Sequence, residues 1–374
     1  MEVALLIDAG VFVVNAGSSS LKLRLIDQAD EVAFDAELSA EHGRFDRHEL
    51  ADALTSLNTV GAVGHRIVHG GTTFTRPVLI DSTVRTRLES LSSLAPLHQP
   101  PALAALDVIG DLLADVPAIA CFDTAFHASI PEAAATYAIP AEWRERHAIR
   151  RYGFHGLSHA YAARRAAQML DRPLDELRIV TCHLGAGASL AAVRGGTSID
   201  TTMGFTPLEG LVMATRSGTI DPGIIPWLQR HAGLAVGEIA DALEHRSGLA
   251  GLAGTSDMRE VIAAMDAGDV DARLAIDVYV HRLCGSIGAM AASLEGLDVI
   301  VFTGRVGERA ATIRESAARR LRFLGAELNV RTNATVAGDA DVSSPGAAVR
   351  ILVVESREDL EIARQVREVL RTGA

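Results

Sequence analysis

The sequence predicts an α/β protein made of two duplicated domains, and three observations carry that expectation. Apolar strands alternate with helical stretches through most of the 374 residues. An apolar strand, a small-residue turn and a returning strand occur twice, over residues 11–23 and 179–190. The chain closes on a helix over 358–371 that puts Leu360, Ala363, Val366 and Leu370 on one face, as a helix returning to an earlier domain would.

The elements follow in order. Residues 11–27 form the first hairpin and 31–38 a third strand. A polar helix lies near 46–57. Residues 62–68 are an apolar strand interrupted by His65 and Arg66 and closed by Gly70-Gly71. Residues 79–91 read as helical, 95–101 as a proline-stiffened loop, and 102–113 as a second helix. The short apolar strand 116–122 ends at Asp123. The second half begins near Phe126. A basic loop over 150–159 leads to a helix over 160–169, with Ser158 as its expected N-cap. The second hairpin spans 178–194. A Gly/Thr/Pro-rich segment, 203–224, carries Arg216. Helices fill 237–294, a buried strand occupies 298–303, and a strand at 349–354 leads to Glu358.

Composition bounds the function. A net charge of −12 disfavours a nucleic-acid partner, which requires a basic surface. No run of 18 uncharged apolar residues suggests a membrane span. The start of the chain is apolar but carries Glu2 and Asp8 without a basic leader, so residues 1–10 read as an extension rather than a signal peptide. The three cysteines, Cys121, Cys182 and Cys284, lie apart among apolar neighbours, as reduced thiols of a cytoplasmic protein do. Lys22 is the only lysine, and it follows a serine-rich turn where an ammonium could meet a phosphate.

A small-residue turn lets backbone N–H groups face an anion, and two such turns could hold one polyphosphate; each could equally be a tight hairpin. Charged residues fall where apolar strands end, the place where open α/β sheets collect ligands: Asn15, Arg66, Asp123, His183 and Glu308. Asp123 suits either a turn cap or a site. Arg66, on an apolar strand, requires an anion, whether a structural carboxylate or a substrate. His155 and His159 have i, i+4 spacing, but no glutamate follows His155, so a zinc-protease reading is poor. Arg150 and Arg151 beside His155 favour a catalytic role over a structural one.

These residues carry a resemblance. Asn15-Ala-Gly-Ser-Ser-Ser-Leu-Lys22, Gly64-His-Arg-Ile-Val-His-Gly-Gly71, Phe122-Asp-Thr-Ala-Phe-His127, Arg151-Tyr-Gly-Phe-His-Gly156 and Met203-Gly-Phe-Thr-Pro-Leu-Glu-Gly210 resemble the acetate kinase family, in order and over nearly the whole chain. The resemblance implies two duplicated actin-like, ribonuclease-H-like domains flanking an active-site cleft. The first would span 1–125, with helix 360–374 packed on it. The second would span 126–359 and carry the nucleotide site and a homodimer interface. The implied reaction is reversible phosphoryl transfer between ATP and acetate, with Mg²⁺ (Mn²⁺ as a substitute), giving acetyl phosphate and ADP. By the same resemblance Asp123, His155 and Arg216 are catalytic. Arg66 binds acetate, with Val68, Leu97, Phe154 and Pro207 as the apolar wall, and Asn15 and Glu358 serve the metal. The nucleotide meets Lys22; His183, Leu184, Gly185, Ala186 and Gly187; Asp257, Met258 and Arg259; and Gly304, Arg305, Val306, Gly307, Glu308 and Arg309.

Two departures open alternatives. Ala186 stands where the family usually has asparagine. Arg305 replaces a glycine, and a long side chain there would either obstruct adenosine or stack on its base. The competing readings are a pyrophosphate-dependent acetate kinase, a propionate or other short-chain acyl kinase, and, from another class, a non-enzymatic nucleotide-gated binding protein.

Overall fold

The computed structural model describes residues 10–16, 20–39, 46–55, 60–96 and 98–372. Residues 1–9, the turn residues 17–19 and Leu97, all named above, lie outside that set. The described residues fall into two compact units. One takes them from Met1–Ala128, Phe154–Tyr161 and Arg357–Ala374, the other from Ser129–Gly153 and Ala162–Ser356.

The first unit holds strands β1 (Gly10–Ala16), β2 (Ser20–Ile26), β3 (Val32–Ser39), β4 (Val60–Ile67), β5 (Val78–Leu79) and β6 (Ala118–Phe122) in one sheet, ordered β3-β2-β1-β4-β6-β5. The second holds β7 (Arg178–Leu184), β8 (Ala188–Arg194), β9 (Thr197–Thr201), β10 (Val299–Thr303), β11 (Ala340–Asp341) and β12 (Arg350–Val353), ordered β11-β12-β10-β7-β8-β9. Reversed, the second order is the first with six added to every number. The pairings agree as well. β1 pairs antiparallel with β2 and parallel with β4, and β7 does the same with β8 and β10. β6 and β12 each run parallel to the preceding long strand, and each takes a short antiparallel edge strand. The α/β class and the duplication read from the two hairpins are therefore both present.

Alternation along β1 sorts the core. Phe12 and Val14 face a cluster with Leu103, Leu106 and Ile109 of the helix Gln99–Leu112. Val11 and Val13 face the opposite cluster with Ile362, Ala363 and Val366 of the helix Glu358–Thr372. Ala62 of β4 and Ile119 and Cys121 of β6 lie in that second cluster too. Continuing the period of two brings Asn15, Arg66 and Asp123 to the face covered by the closing helix.

Some local expectations change, and some elements had none. The helix read over 79–91 starts at Ser82, because Val78 and Leu79 pair with β6 and the Asp81 carboxylate accepts the Val84 N–H at 2.7 Å. Ser158 is not an N-cap. The helix runs Gly156–Leu170, and Ser158 is buried in its first turn. The segment before 203 contributes strand β9, and the helices Glu132–Ala135 and Ala141–His147 had no clear sequence pattern. No helix among the described residues is long and apolar enough to cross a membrane.

Candidate active site

β1, β4 and β6 run parallel, so their C-terminal ends share one edge. Asn15, Arg66 and Asp123 stand there, and the closing helix begins beside them at Glu358. Arg66 joins all three. Its Nε donates to both Asp123 oxygens at 3.1 and 3.2 Å, and its Nη2 donates to Oδ2 at 2.6 Å. Its Nη1 donates to Asn15 Oδ1 at 3.2 Å and lies 3.3 Å from Glu358 Oε2. Asn15 Nδ2 donates to the same Glu358 oxygen at 3.4 Å. Burial works against the Arg66 charge, but Asp123 and Glu358 outweigh it and hold the guanidinium well above its usual range. A guanidinium carries five N–H donors, and among the described residues these contacts use all but one, on Nη2. Asp123 is buried and paired with Arg66.

His155 is fixed to this cluster through the backbone. Its φ is +57°, an uncommon value for a side chain of that size. The next residue, Gly156, donates its N–H to the Asp123 carbonyl at 2.9 Å, and a Cβ at Gly156 would overlap that carbonyl. The Phe154 carbonyl can only accept, so His127 Nε2–H donates to it at 3.0 Å. Phe154 is buried, and Val68 is half-buried. Lys22 is exposed on β2 directly opposite Asn15.

The remaining candidates belong to the second unit. The β7–β8 turn closes with a hydrogen bond from Gly185 N–H to Gly187 O at 2.9 Å. His183 and Thr303 are paired at the ends of the parallel strands β7 and β10. Gly304, at φ +76°, follows at once, and a Cβ on it would come within 2.8 Å of the Leu184 carbonyl. The turn residues His183–Gly187 and the helix Gly304–Arg309 are thus packed together, while Leu184 is itself buried in the sheet. Ala214 N–H donates to Ala186 O at 3.1 Å, tying the turn to the segment that carries Arg216.

Arg216 donates from Nη1 to the Pro207 carbonyl at 2.7 Å and makes no ion pair among the described residues. Burial lowers its pKa, with Glu244 opposing. A cation held without a carboxylate is prepared for an anionic ligand. Asp257 caps the helix Met258–Asp266, and hydrogen bonds from Arg259, aided by the charge of Arg305, hold it at about 2. Met258 is buried in the core, whereas Arg259, Arg305 and Arg309 are exposed. Glu308 accepts the Ser356 N–H at 2.9 Å, and burial raises its pKa.

The structure thus brings Asn15, Arg66, Asp123 and Glu358 into one bonded cluster, with His155 on an adjoining peptide. It gathers the 183–187 turn, Gly304 and the Arg216 segment within the second unit. Sequence reasoning missed Tyr137, whose surroundings carry no motif. It quoted Glu209 inside a motif without giving it a task. Both act on the 203–218 segment, as argued below.

Two copies of one mixed-sheet topology, one carrying an arginine–carboxylate cluster at its strand ends and the other a glycine turn tied to the segment of Arg216, are the two-domain, actin-like architecture. The acetokinase family model matches residues 39–364. A Bacillus mycoides acetate kinase is 41% identical, over 97% of this chain and 98% of its own. The crystal structure of Porphyromonas gingivalis acetate kinase superposes with a TM-score of 0.90 at 34% identity, covering 97% of this chain and 100% of that one. A propionate kinase from Francisella tularensis gives 0.89 at 35%, covering 96% and 99%. The chain belongs to the acetokinase family, and it is a phosphotransferase with a carboxyl group as acceptor.

Proposed function

We propose that the chain catalyses reversible phosphoryl transfer between ATP and acetate by direct in-line attack of the carboxylate. One acetate oxygen forms a bond to the γ-phosphorus while the bond to the β–γ bridging oxygen breaks. The products are acetyl phosphate and ADP. The observation that carries this reading is the Asn15–Arg66–Asp123–Glu358 cluster at the ends of three parallel strands. Acetate is already ionised at neutral pH, so the site needs no general base. It must instead suppress repulsion between two anions.

In this reading Arg66 and Arg216 hold the acetate carboxylate and the transferring phosphoryl group. His155 donates a hydrogen bond to that group as charge builds on its equatorial oxygens. Asp123 fixes the Arg66 guanidinium and aligns the nucleophile. Val68, Phe154 and Pro207 face the methyl group. The nucleotide phosphates lie at the 183–187 turn and near Lys22, and the nucleoside lies along 257–259 and 304–309.

A magnesium ion suits the residues present. Asn15, Asp123 and Glu358 offer hard oxygen donors, and two carboxylates beside one guanidinium leave a net negative charge. No group of three His, Cys, Asp or Glu side chains able to hold a metal occurs among the described residues, so phosphates and water would supply the other ligands. The ion would neutralise charge on the phosphates. Asn15 and Glu358 are the residues that would orient its water shell.

One observation favours a second reading of the donor. Arg305 is exposed at the start of the helix Gly304–Arg309, and its charge reaches Asp257. If the guanidinium occupies the nucleoside position, pyrophosphate replaces ATP. Propionate is the nearest alternative acceptor, since one methylene is discriminated by only about 1–3 kcal/mol. The four charged or polar groups at one strand edge speak against a non-enzymatic binding protein. The test is transfer to acetate by the purified protein with Mg²⁺, trapped as the hydroxamate, with ATP and with pyrophosphate. Product with ATP supports the first reading. Product only with pyrophosphate selects the second, and product with neither overturns both.

We also propose that the protein works as a cytoplasmic homodimer. Ile224, Trp227, Leu234 and Val236 of the second unit are 42%, 57%, 38% and 65% exposed within a short stretch, an apolar surface suited to a second copy. Trp227→Glu is expected to convert a dimer to a monomer in sedimentation equilibrium at micromolar concentration. A dimeric variant, or a monomeric parent, contradicts this.

A further inference from the structure

The motif over 203–210 and the arginine ahead of Phe154-His155 meet in a network that the catalytic roles above leave unused. Arg151 Nη2 donates to Glu209 Oε1 at 2.8 Å. Its Nη1 donates to the carbonyls of Thr202 and Met203, both at 3.1 Å. The Tyr137 hydroxyl donates to Glu209 Oε2 and accepts the Phe205 N–H at 2.9 Å. The Arg151 guanidinium lies 5.4 Å from the centre of the Tyr137 ring. From the other side, the Gly204 carbonyl accepts N–H groups of Tyr152 and Gly153 at 3.1 and 3.3 Å. There is no room to spare, because a Cβ at Gly204 would overlap both the Glu209 carboxylate and the Tyr137 hydroxyl. Two residues before Glu209 is Pro207, whose carbonyl holds Arg216 Nη1 at 2.7 Å.

We infer that Tyr137, Arg151 and Glu209 are positioning residues: together they clamp the 202–209 loop and so set where Pro207 and Arg216 stand. This rests on the proposed roles of Pro207 as acyl wall and Arg216 as anion holder, and it extends them to acceptor choice. One carboxylate receives a cationic donor on one oxygen and a phenol on the other, and charge-assisted bonds of this kind are the stronger ones. Burial, and then the bond to Glu209, push the Tyr137 phenol above its ordinary pKa, so the hydroxyl is a donor at neutral pH. Loosening the clamp lets Pro207 and Arg216 shift together. A shifted wall admits a longer acyl chain, and a shifted guanidinium holds the carboxylate less well. Among the described residues, no nucleotide residue bonds to Tyr137, Arg151 or Glu209.

Glu209→Gln keeps the shape and removes the charge. Tyr137→Phe keeps the ring beneath Arg151 and removes the hydroxyl. In both, kcat/KM for acetate is expected to fall about tenfold, the scale of one bond to a charged group. Most of the fall should appear in the acetate KM, with the nucleotide KM unchanged. The preference for acetate over propionate should fall about threefold or more, within the reach of one methylene. Hydrogen exchange is read on the same variants without substrate, and amides over 203–218 should exchange faster than in the parent. Equal losses toward acetate and nucleotide, or an unchanged acetate-to-propionate ratio, overturn the role in acceptor choice. Unchanged exchange over 203–218 overturns the clamp itself. The exchange measurement needs no activity, so a parent enzyme inert toward both acids overturns the functional reading while the clamp is still decided.

Discussion

Arg66 could be read from sequence as a cation requiring an anion, because a guanidinium on an apolar strand has few other ways to exist. Which anion could not be read. The structure supplies Asp123 and Glu358, brought from positions 57 residues downstream and near the end of the chain. Asp123 illustrates the same limit. A carboxylate at a strand end serves turns and sites equally well, and its burial against Arg66 is not written in the local sequence. Arg216 is the opposite case, since it has a carbonyl partner and makes no ion pair among the described residues. A side chain in that state contributes most when a transferring phosphoryl group reaches it. Arg216→Ala is therefore expected to lower turnover by about 10² or more while leaving the fold intact. Turnover within a factor of a few of the parent would remove Arg216 from the mechanism.

At the level of elements, short continuous apolar runs were the most legible signal. They marked β1, β4, β6, β7, β8 and β10, and the helical period marked the closing helix Glu358–Thr372. The short edge strands β5 and β11 were not legible, because two residues have no period; their pairing comes from neighbours distant in sequence. Tyr137 was missed for a related reason: it sits between short helices, and its hydroxyl is assigned only by Glu209 and the Phe205 N–H. The closing helix packs so tightly that a Cβ on Gly64 would overlap Ile362 and lie 2.9 Å from Val366. Gly64 neighbours Arg66 on the same face, so the strain would pass to the site. Gly64→Ala is expected to destabilise the protein by about 1–3 kcal/mol in urea unfolding. An unchanged midpoint would show that the helix can yield.

At the scale of the whole molecule, the duplication was visible in two short hairpins, and the structure extends it to six strands of each sheet. Burial also gives the molecule a common response to acid. His65, His69 and His127 are each lowered from 6.5 to about 4 by loss of solvent; the charge of Asp107 partly offsets this at His65, and the Phe154 carbonyl at His127. Between those values the unfolded chain binds protons that the folded chain refuses. Stability is therefore fully present above about pH 6.5 and is lost as pH falls toward 4, by up to about 3 kcal/mol for each histidine. Urea unfolding at pH 7 and pH 5 should differ by a few kcal/mol in that direction, and equal stabilities would mean that these imidazoles titrate normally. The central claim concerns the bond that is made. The protein should be given MgATP and acetate labelled with heavy oxygen at both carboxyl positions, and the product followed by phosphorus NMR. Direct attack predicts an acyl phosphate signal shifted by a single heavy oxygen on phosphorus, formed in step with ADP. Inorganic phosphate alone, or an acyl phosphate without the label on phosphorus, would contradict the account.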